Sequence, residues 1–502
     1  MAVVTAGSVA VTVVTTLLAI AAILARDEAT QRRSQAEDLL GFMVGDLRKS
    51  LAPIGRLDLL EEVGARAMAY FATVDLDALS DDELLFQAQV MTQLGEIRVS
   101  QLQYDEALAS FTEAHHRSEA LYLEDGGNGD KLFNRAQAEF WVAFVHWRNG
   151  DLAEARAWLV KYRDSGIQLA MLDETRVEWA REVGFGHHNL AVLNFEAGEL
   201  DAAAAGFEQE LEVLYAIQDL VPNEALTNYI ADSVSWIGNI ALARGDLDKA
   251  LQYDMRSAGD FETFSRESPG DMFRLNDRAH AIQRVVEVLL MTGELNRAQE
   301  LADEAILAFD RLTGYDEGNI EWRRASTEPR IAKGFALAAS GQLDEALGLA
   351  NQCISVLQSI IASGTADYNL RYHLADAYDL ATWVYQANND VAAALESNQQ
   401  AVDHLQVIQA SNRLNDERTG KLASIYVVRG ELLAAQGDVA AAQRVWKQAN
   451  DLLDRVLPSS QSPFLLDPWV RLLILSGRRA EAQELSGTIG AGRYVPLRPW
   501  PD

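Results

Sequence analysis

The sequence predicts an all-α protein, an array of stacked pairs of long helices that follows one transmembrane helix. Three observations lead to this fold class. A glycine signature recurs about every 48 residues, as in proteins built from repeated units. Nearly half of the 502 residues are apolar and only 10 are proline, a composition that favours packed helices. The first residues form an uncharged apolar run, which predicts a membrane span.

The predicted span covers residues 2–25, which include no charged side chain. A helix of this length extends about 36 Å, enough to cross the hydrocarbon core of a bilayer. A cleaved signal peptide is the alternative. It fits less well, because no Lys or Arg precedes the run and Ile23 occupies the position where a small residue is expected before cleavage. We therefore expect a retained span that places the chain in a lipid bilayer.

The repeated signature is a glycine, an acidic residue and an apolar residue, with an alanine five positions after the glycine. Glycine suits the left-handed turn at the end of a helix, and the acidic residue complements the positive N-terminus of the next one. Each signature therefore predicts the end of one amphipathic helix and the start of another. The signature glycines or their substitutes are Leu102, Gly150, Gly198, Gly245, Gly293, Gly341, Asn389 and Gly437, and a shorter step leads to Gly477.

Two further positions recur in register with the signature. Seven residues before it, most copies carry a small residue: Gly95, Ala143, Ala191, Gly238, Gly334 and Gly430. Four residues after the alanine, some copies carry a large apolar one: Phe111, Leu159, Phe207 and Trp446. With this pattern, residues 84–455 resemble the tetratricopeptide repeat (TPR) family. The resemblance implies a right-handed α-α superhelix, a TPR-like solenoid, whose groove binds a protein or peptide partner.

The copies depart from the family pattern in their length. The family unit has 34 residues, so each copy is about 14 residues longer. The usual closing proline is missing, and turn residues stand instead at Gly126, Pro222, Pro269, Gly364 and Asn412. We therefore expect helices of about 18 to 20 residues, roughly 30 Å long. Lys333, Arg429, Asp254 and Asn398 occupy positions where apolar residues are expected.

The segments that flank the repeats complete the predicted domain organisation. Residues 26–83 form juxtamembrane helices or an N-terminal cap, and residues 456–502 a C-terminal cap with a glycine-rich flexible tail at 487–492. Residues 1–80 and the repeats resemble the membrane part of bacterial multidomain signalling proteins, in which a Ser/Thr kinase, TIR or cyclase domain precedes the span. Because Met1 stands directly before the span, we expect that effector domain to be missing from this chain.

The expected location is the bacterial inner membrane, with a single pass. Arg26, Arg32 and Arg33 follow the span, and the positive-inside rule then places the array in the cytoplasm. The resemblance to the signalling proteins implies an extracytoplasmic array instead. The sequence leaves this choice open.

No pattern of catalytic or metal-binding residues stands out. The net charge of −31 argues against a nucleic-acid partner. The chain has no P-loop, and its one cysteine, Cys353, falls in a small-residue position expected to be buried. Residues 125–130 predict a surface turn rather than a calcium loop. The histidine pairs at 115–116 and 187–188 cannot place both rings on one helix face. We expect a non-enzyme without cofactor or metal.

The partner-binding groove of TPR arrays is lined by the first helix of each unit. At positions two, three, six and ten residues before each signature, this analogy gives the candidates Phe140, Phe144, Trp147, Arg148, His188, Phe195, Asn239, Phe335, Trp383 and Gln386. Packing between neighbouring units is the competing interpretation of the aromatic ones. The predicted function is a membrane-anchored scaffold or sensor for a protein or peptide. The alternatives are the sensor half of a signalling enzyme and a secreted scaffold.

Overall fold

A computed structural model describes residues 80–100, 103–220, 224–364, 368–411, 414–457 and 460–501, together with positions 15, 16, 18, 20–24, 28, 31, 66 and 69. The chain divides into two compact units, Met1–Ser165 and Gly166–Asp502. All regular structure in the described ranges is helical, which confirms the all-α prediction. The sequence-based domain boundaries at residues 25, 83 and 455 stay predictions.

The first unit is built from consecutive helices joined by short turns. They are α1 (Asp81–Ser100), α2 (Tyr104–Glu124), α3 (Gly129–Asn149) and α4 (Leu152–Leu172), and the boundary between the units falls within α4. Phe111 and Ala107 of α2 pack against Val142 and Val145 of α3. The ring of Phe111 covers Gly95 so closely that a Cβ there would lie 2.4 Å from a ring carbon. The small and large positions of the repeat therefore meet, as they do in a TPR.

The second unit continues the same succession of helix pairs. Its helices after α4 are α5 (Val177–Glu196), α6 (Leu200–Leu220), α7 (Glu224–Ala243), α8 (Leu247–Glu267), α9 (Met272–Met291), α10 (Leu295–Tyr315), α11 (Ile320–Ala325), α12 (Thr327–Ala339), α13 (Leu343–Ala362), α14 (Tyr368–Ala387), α15 (Val391–Ala410), α16 (Asp416–Ala435), α17 (Val439–Leu453), α18 (Pro463–Leu475) and α19 (Arg479–Ala491). Most helices have 20 or 21 residues, which confirms the longer helices inferred from the repeat length.

Every described signature position adopts the backbone conformation that the sequence predicts. Seven signature glycines have φ between 75° and 89°, and Asn389, which replaces one of them, has φ 61°. Their amides close the preceding helix. The next helix starts at once, and the carboxylates of Asp246, Asp390 and Asp438 accept a hydrogen bond from its first-turn amides. The signature therefore works as a combined helix stop and helix start.

Gly341 tests this role, because a Cβ there would contact nothing within 4 Å. Only the backbone conformation of Gly341, with φ at 80°, disfavours a side chain at this position. We expect Gly341→Ala to lower the free energy of unfolding by about 1 kcal/mol. Thermal melts of the wild type and the variant measure this. Asn389→Gly is the reverse control and should raise the melting temperature slightly. A more stable Gly341→Ala protein would contradict the left-handed turn.

One first helix is broken in two. Ser326 separates α11 from α12, and Pro329 lies in the first turn of α12. A proline has no amide hydrogen to give to the carbonyl four residues earlier, here that of Ala325, and its ring crowds that carbonyl. The break therefore has a local cause in the sequence.

The membrane prediction is contradicted. No helix in the described part of the chain is both long and apolar enough to cross a bilayer. The helices of the two units reach the necessary length, but charged residues interrupt their apolar faces, whereas a span needs about 20 consecutive apolar residues. Most of the predicted span, residues 2–25, lies outside the described residues. The prediction of a single-pass protein of the bacterial inner membrane is therefore wrong on this structure.

The predicted flexible tail at 487–492 is also wrong. Gly487 and Gly490 lie within α19, which continues to Ala491. Ala482 and Ile489 of this helix pack against Leu466, Val470 and Leu473 of α18. This tertiary packing outweighs the low helix propensity of glycine.

Candidate functional site

A cavity of about 290 Å³ lies inside the second unit. Its wall is formed by successive first helices of the pairs, α9, α12, α14, α16 and α18, and by the chain after α19. We call this cavity with its lining the chamber. Because first helices form its wall, it lies where the TPR analogy places a groove.

The chamber is acidic. Six of its lining side chains are carboxylic, Glu287, Glu328, Asp376, Asp379, Glu417 and Asp467. Four are basic, Lys421, Arg471, Arg498 and His373, whose Nε2 lies 3.3 Å from Glu328. The Lys421 ammonium lies 2.8 Å from Asp376 and 3.4 Å from Asp379. Arg471 pairs with Glu431, outside the chamber wall, at 2.7 Å. The lining therefore has more carboxyl groups than basic side chains.

Glu287 is the carboxylate with the least compensation. Among the described residues it accepts from the amide of Gln283, whose Nε2 donates over 3.2 Å, although Glu287 is exposed to the cavity. Its position deep inside the unit raises the pKa of Glu287, and the nearby carboxylates of Glu417 and Glu328 act in the same direction. The amide oxygen of Gln283 also lacks a partner, because Oε1 is buried without a hydrogen-bond donor. A cationic ligand with N–H donors would supply a partner to both the Glu287 carboxyl group and Gln283 Oε1.

Asp379 is in the opposite situation. Burial acts to raise its pKa, but the charges of Arg498 and Lys421 outweigh burial and leave the pKa of Asp379 below its usual value. Asp376, one turn earlier on α14, has its pKa raised to about 6 by burial, against the effect of Lys421. A carboxylate with a lowered pKa is suited to hold a guanidinium.

Aromatic rings form the rest of the wall near Asp379. The ring centroids of Phe335 and Trp383 are 6.2 Å apart. The Arg498 guanidinium lies 5.0 Å above the Trp383 ring, and the Lys421 ammonium 5.3 Å above the Phe335 ring. On the far side, the Tyr372 hydroxyl donates to Glu417 over 2.7 Å. Rings beside ionised carboxylates provide apolar and electrostatic contacts for a cationic side chain.

The chain after α19 returns to the chamber and crosses it. We call residues 493–501 the strap. The Val495 amide donates to the carbonyl of Met291 over 2.8 Å, and the Val495 side chain lies against the Cα of Gly293. Leu497 packs on the apolar cluster of α9 and α12. The Trp500 indole nitrogen donates to Asp467 over 2.8 Å. The strap therefore contacts the wall through its backbone and through its side chains.

Arg498 makes the most specific contact of the strap. Its Nη2 donates to a carboxylate oxygen of Asp379 over 2.6 Å and to the Asp379 carbonyl over 2.9 Å. The other terminal nitrogen, Nη1, is buried and has no acceptor. The Pro499 carbonyl, next to it, accepts from Arg471 over 3.1 Å.

The predicted groove residues are not all brought together. Phe335 and Trp383 line the chamber. The other candidates of the second unit, His188, Phe195, Asn239 and Gln386, are half-buried and do not line it. His188 Nδ1 lies 2.9 Å from a carboxylate oxygen of Glu210, and Phe195 packs on Trp236 at 5.6 Å. For Phe195, packing is the contact that the structure shows.

The four predicted groove residues of the first unit lie on α3, and the three aromatic ones form a stripe. Phe140 and Phe144 have ring centroids 6.2 Å apart, and Phe144 and Trp147 are 6.3 Å apart. Phe140 also contacts Tyr162 at 5.6 Å. Arg148 donates from Nε to the Tyr104 hydroxyl over 3.2 Å. All four candidates stay partly exposed, so they both pack and present a surface.

Several chamber residues were missed by the sequence analysis. The positions six and ten before the signature do reach the chamber, as Trp383 and Asp379 show. The site extends further back on the same helix face, to Asp376 and Tyr372 on α14. Continuing the helical spacing for two more turns would have found them. The only sign of the strap in the sequence is its composition. It has two arginines among prolines and aromatic residues, in a chain whose net charge is −31.

The other candidates for chemistry are explained by local structure. Cys353 is buried in α13, and burial raises the pKa of its thiol to about 12, which leaves no reactive thiolate. In the 125–130 turn, the side chain of Asn128 accepts from the amides of Asp130 and Lys131 and starts α3. Within the described residues, no three His, Cys, Asp or Glu side chains are grouped to hold a metal ion.

Comparison with known proteins identifies the repeat. The family model for the tetratricopeptide repeat matches residues 136–161 and 423–448. Two segments of the chain therefore match the tetratricopeptide repeat. Both matches run from a first helix across a signature turn into the second helix. No curated protein matches the sequence. The resemblance to kinase, TIR and cyclase signalling proteins receives no support from the comparisons, and residues 1–80 lie mostly outside the described part.

Two solved structures share the TPR fold over most of the chain. The apo form of RapI has a TM-score of 0.52 at 10% sequence identity, and the match covers 83% of this chain and 99% of RapI. The apo form of the quorum sensor NprR from B. thuringiensis has a TM-score of 0.50 at 13% identity, over 85% of this chain and 99% of NprR. At these identities the likeness shows the fold, a solenoid of helix pairs.

Proposed function

We propose that the chain is a non-catalytic TPR scaffold or sensor that captures a protein partner by binding a peptide segment of it in the chamber. The observation that carries this proposal is the chamber wall. Successive first helices present aromatic rings and unbalanced carboxylates toward one cavity of about 290 Å³. A wall of this kind offers anchor contacts for side chains of a peptide.

The mechanism is equilibrium binding to a preformed surface. The rings of Phe335 and Trp383 are held on helices whose opposite faces are buried among apolar residues. Such a wall loses little conformational freedom when a partner binds, so more of the contact energy appears as affinity. A sensing role agrees with the description of NprR as a quorum sensor.

The aromatic stripe of α3 is the second candidate surface within this proposal. Phe140, Phe144 and Trp147 stay partly exposed while packing on each other. The stripe lacks the carboxylates of the chamber, so it would take an apolar segment. The two surfaces belong to different units and can be tested one at a time.

Serine substitutions of Trp383, Phe144 and Trp147, each made singly, distinguish the two surfaces. Partner capture is measured by crosslinking and affinity purification from cells, and folding by thermal melts. We expect Trp383→Ser to reduce capture at least about tenfold, since an anchor ring at an interface centre contributes 2 kcal/mol or more. Phe144→Ser and Trp147→Ser should leave capture intact.

Leu307→Ser is the matched control. Leu307 is 71% exposed on α10, a second helix, and does not line the chamber. It should change neither capture nor the melting temperature. Loss of capture in the α3 variants alone would move the site to the first unit. Unfolding of Trp383→Ser would count against the chamber, and capture equal to wild type in all variants would count against both surfaces.

A further inference from the structure

We propose that the chamber contains an arginine site, now filled by the chain's own Arg498, and that a partner peptide binds by placing its arginine there and displacing the strap. This inference rests on the proposed function and specifies the partner. It is a non-helical peptide segment that carries an arginine next to apolar residues. The strap itself is the template for that segment.

The strap contacts the chamber wall as a bound peptide would. It runs without helix or strand from Gly492 to Pro501. One backbone amide, that of Val495, is bonded to the wall at Met291, and side chains on both sides of Pro496 contact it. Backbone bonding combined with side-chain contacts is the usual way in which a solenoid or sheet holds an extended ligand.

The shape of the arginine site fits a guanidinium group. Asp379 offers both a carboxylate oxygen and its carbonyl oxygen to one guanidinium nitrogen, and Trp383 lies 5.0 Å beneath the guanidinium. The flat ring matches the planar guanidinium of arginine better than the compact ammonium of lysine. Lys421, the lysine nearest this site, lies instead between Asp376 and Asp379.

The strap leaves several polar groups of the chamber without hydrogen-bond or ionic partners. Arg498 Nη1 and Gln283 Oε1 are both buried without a hydrogen-bond partner. Glu287 faces the cavity without a cation. Each unpaired buried group represents free energy that a better-fitting ligand can recover. An external peptide can therefore gain contacts that the strap lacks, which is what displacement requires.

The strap competes with an external peptide for the arginine site. A tethered segment competes at an effective concentration of about millimolar. The strap therefore weakens binding of any peptide that uses the same site, and the intact chain responds only to a partner that binds more tightly than its own strap. The chamber then acts as a selective site rather than an open groove.

The test uses a fluorescein-labelled synthetic peptide with the sequence of residues 491–502. Its affinity is measured by fluorescence anisotropy for the full chain and for a chain truncated after Gly492. We expect the truncated chain to bind at least about tenfold more tightly, because the internal competitor is gone. The peptide with Arg498→Ala should lose at least about tenfold in affinity for the truncated chain.

Arg493→Ala in the same peptide is the matched control. Arg493 is also an arginine of the strap, but it is largely exposed and pairs with Asp248 at 2.5 Å, outside the chamber wall. Its loss should weaken binding less than about threefold, as for a surface ion pair. Equal losses for the two substituted peptides, or equal affinity of the two chains, would overturn the arginine site.

A second variant covers the case in which truncation unfolds the chain, as judged by circular dichroism. The full chain with Arg498→Ala keeps the apolar contacts of the strap and loses only its arginine. It should bind the wild-type peptide more tightly than the unmodified chain does, and no gain would refute the proposal. A dimer by light scattering that dissociates on truncation would show exchange of straps between copies, also against internal competition.

These readouts separate the inference from the proposed function. The anisotropy experiment requires no cellular partner, whereas the serine variants measure capture of one. A peptide that fails to bind while Trp383→Ser still abolishes capture would reject the arginine site and leave the scaffold function standing. Peptide binding without any effect of Trp383→Ser on capture would support the arginine site and reject the scaffold function.

Discussion

Substitution of Gly420 by alanine is expected to destabilise the protein by about 3 kcal/mol, although alanine is the better helix former. Gly420 lies inside α16, where a Cβ would stand 2.1 Å from the carbonyl oxygen of Phe464 and 2.6 Å from its carbonyl carbon. Both atoms belong to the backbone of the first turn of α18. No side-chain rotation can relieve this clash, so one of the two helices must move.

The movement would reach the chamber, because α16 carries Glu417 and Lys421 and α18 carries Asp467 and Arg471. Urea or thermal unfolding measures the stability, and the anisotropy experiment reports on the chamber. Gly348→Ala is the matched control, since Gly348 is exposed in α13 and a Cβ there meets nothing within 4 Å. It should gain about 0.5 to 1 kcal/mol. A Gly420→Ala protein as stable as this control would show that α16 and α18 are further apart.

The sequence predicted the local features of the fold because local chemistry determines them. A residue at φ near 75° between two helices favours glycine whatever surrounds it, and the period of the glycines therefore reports helix boundaries and lengths. The same reasoning placed Cys353 in the core. The prediction of a flexible tail at 487–492 failed, because packing of Ile489 against α18 keeps two glycines helical. Helix propensity is a local quantity, and packing with α18 is not.

The candidate site was predicted only in part for a related reason. Helical spacing identifies the residues that share a face of one helix, and two of the residues it selected, Phe335 and Trp383, line the chamber with ring centroids 6.2 Å apart. It cannot show which part of a long helix faces a cavity, so Tyr372 and Asp376 were missed. The contact between Arg498 and Asp379 joins residues far apart in the chain. Nothing in a periodic pattern encodes that pairing.

Asp254 departs from the repeat pattern in a way that predicts a pH-dependent stability. Its position in the repeat holds Phe111, Phe207 or Trp446 in other copies, and here the carboxylate is 2% exposed and faces the Cα of Gly238. Arg284 Nε lies 3.7 Å from Oδ1, which has no hydrogen-bond donor. Burial raises the pKa of Asp254 to about 7, and the charge of Arg284 only partly opposes this.

The sign of the effect follows from the direction of the pKa shift. An aspartate in the unfolded chain has a pKa near 3.9, so between about pH 4 and pH 7 the folded state holds a proton that the unfolded state has released. Folding is favoured by this group at low pH, and the contribution is lost as the pH rises through 7. A shift of about three units corresponds to at most about 4 kcal/mol. The loss is therefore complete by about pH 8.

Asp254→Asn should abolish this dependence, because the amide has nearly the same shape and does not ionise. At about pH 4, where the contribution of the protonated Asp254 is still nearly complete, the variant and the wild type should have similar melting temperatures. At pH 8 the variant should be the more stable protein, by up to about 4 kcal/mol. Glu300→Gln, on an exposed carboxylate of α10, controls for the change in net charge and should leave the pH profile unchanged. A variant equally destabilised at both pH values would mean that Asp254 is ionised in the folded protein and held by Arg284. In that case the ion pair, rather than a protonated acid, occupies the place of the missing aromatic ring.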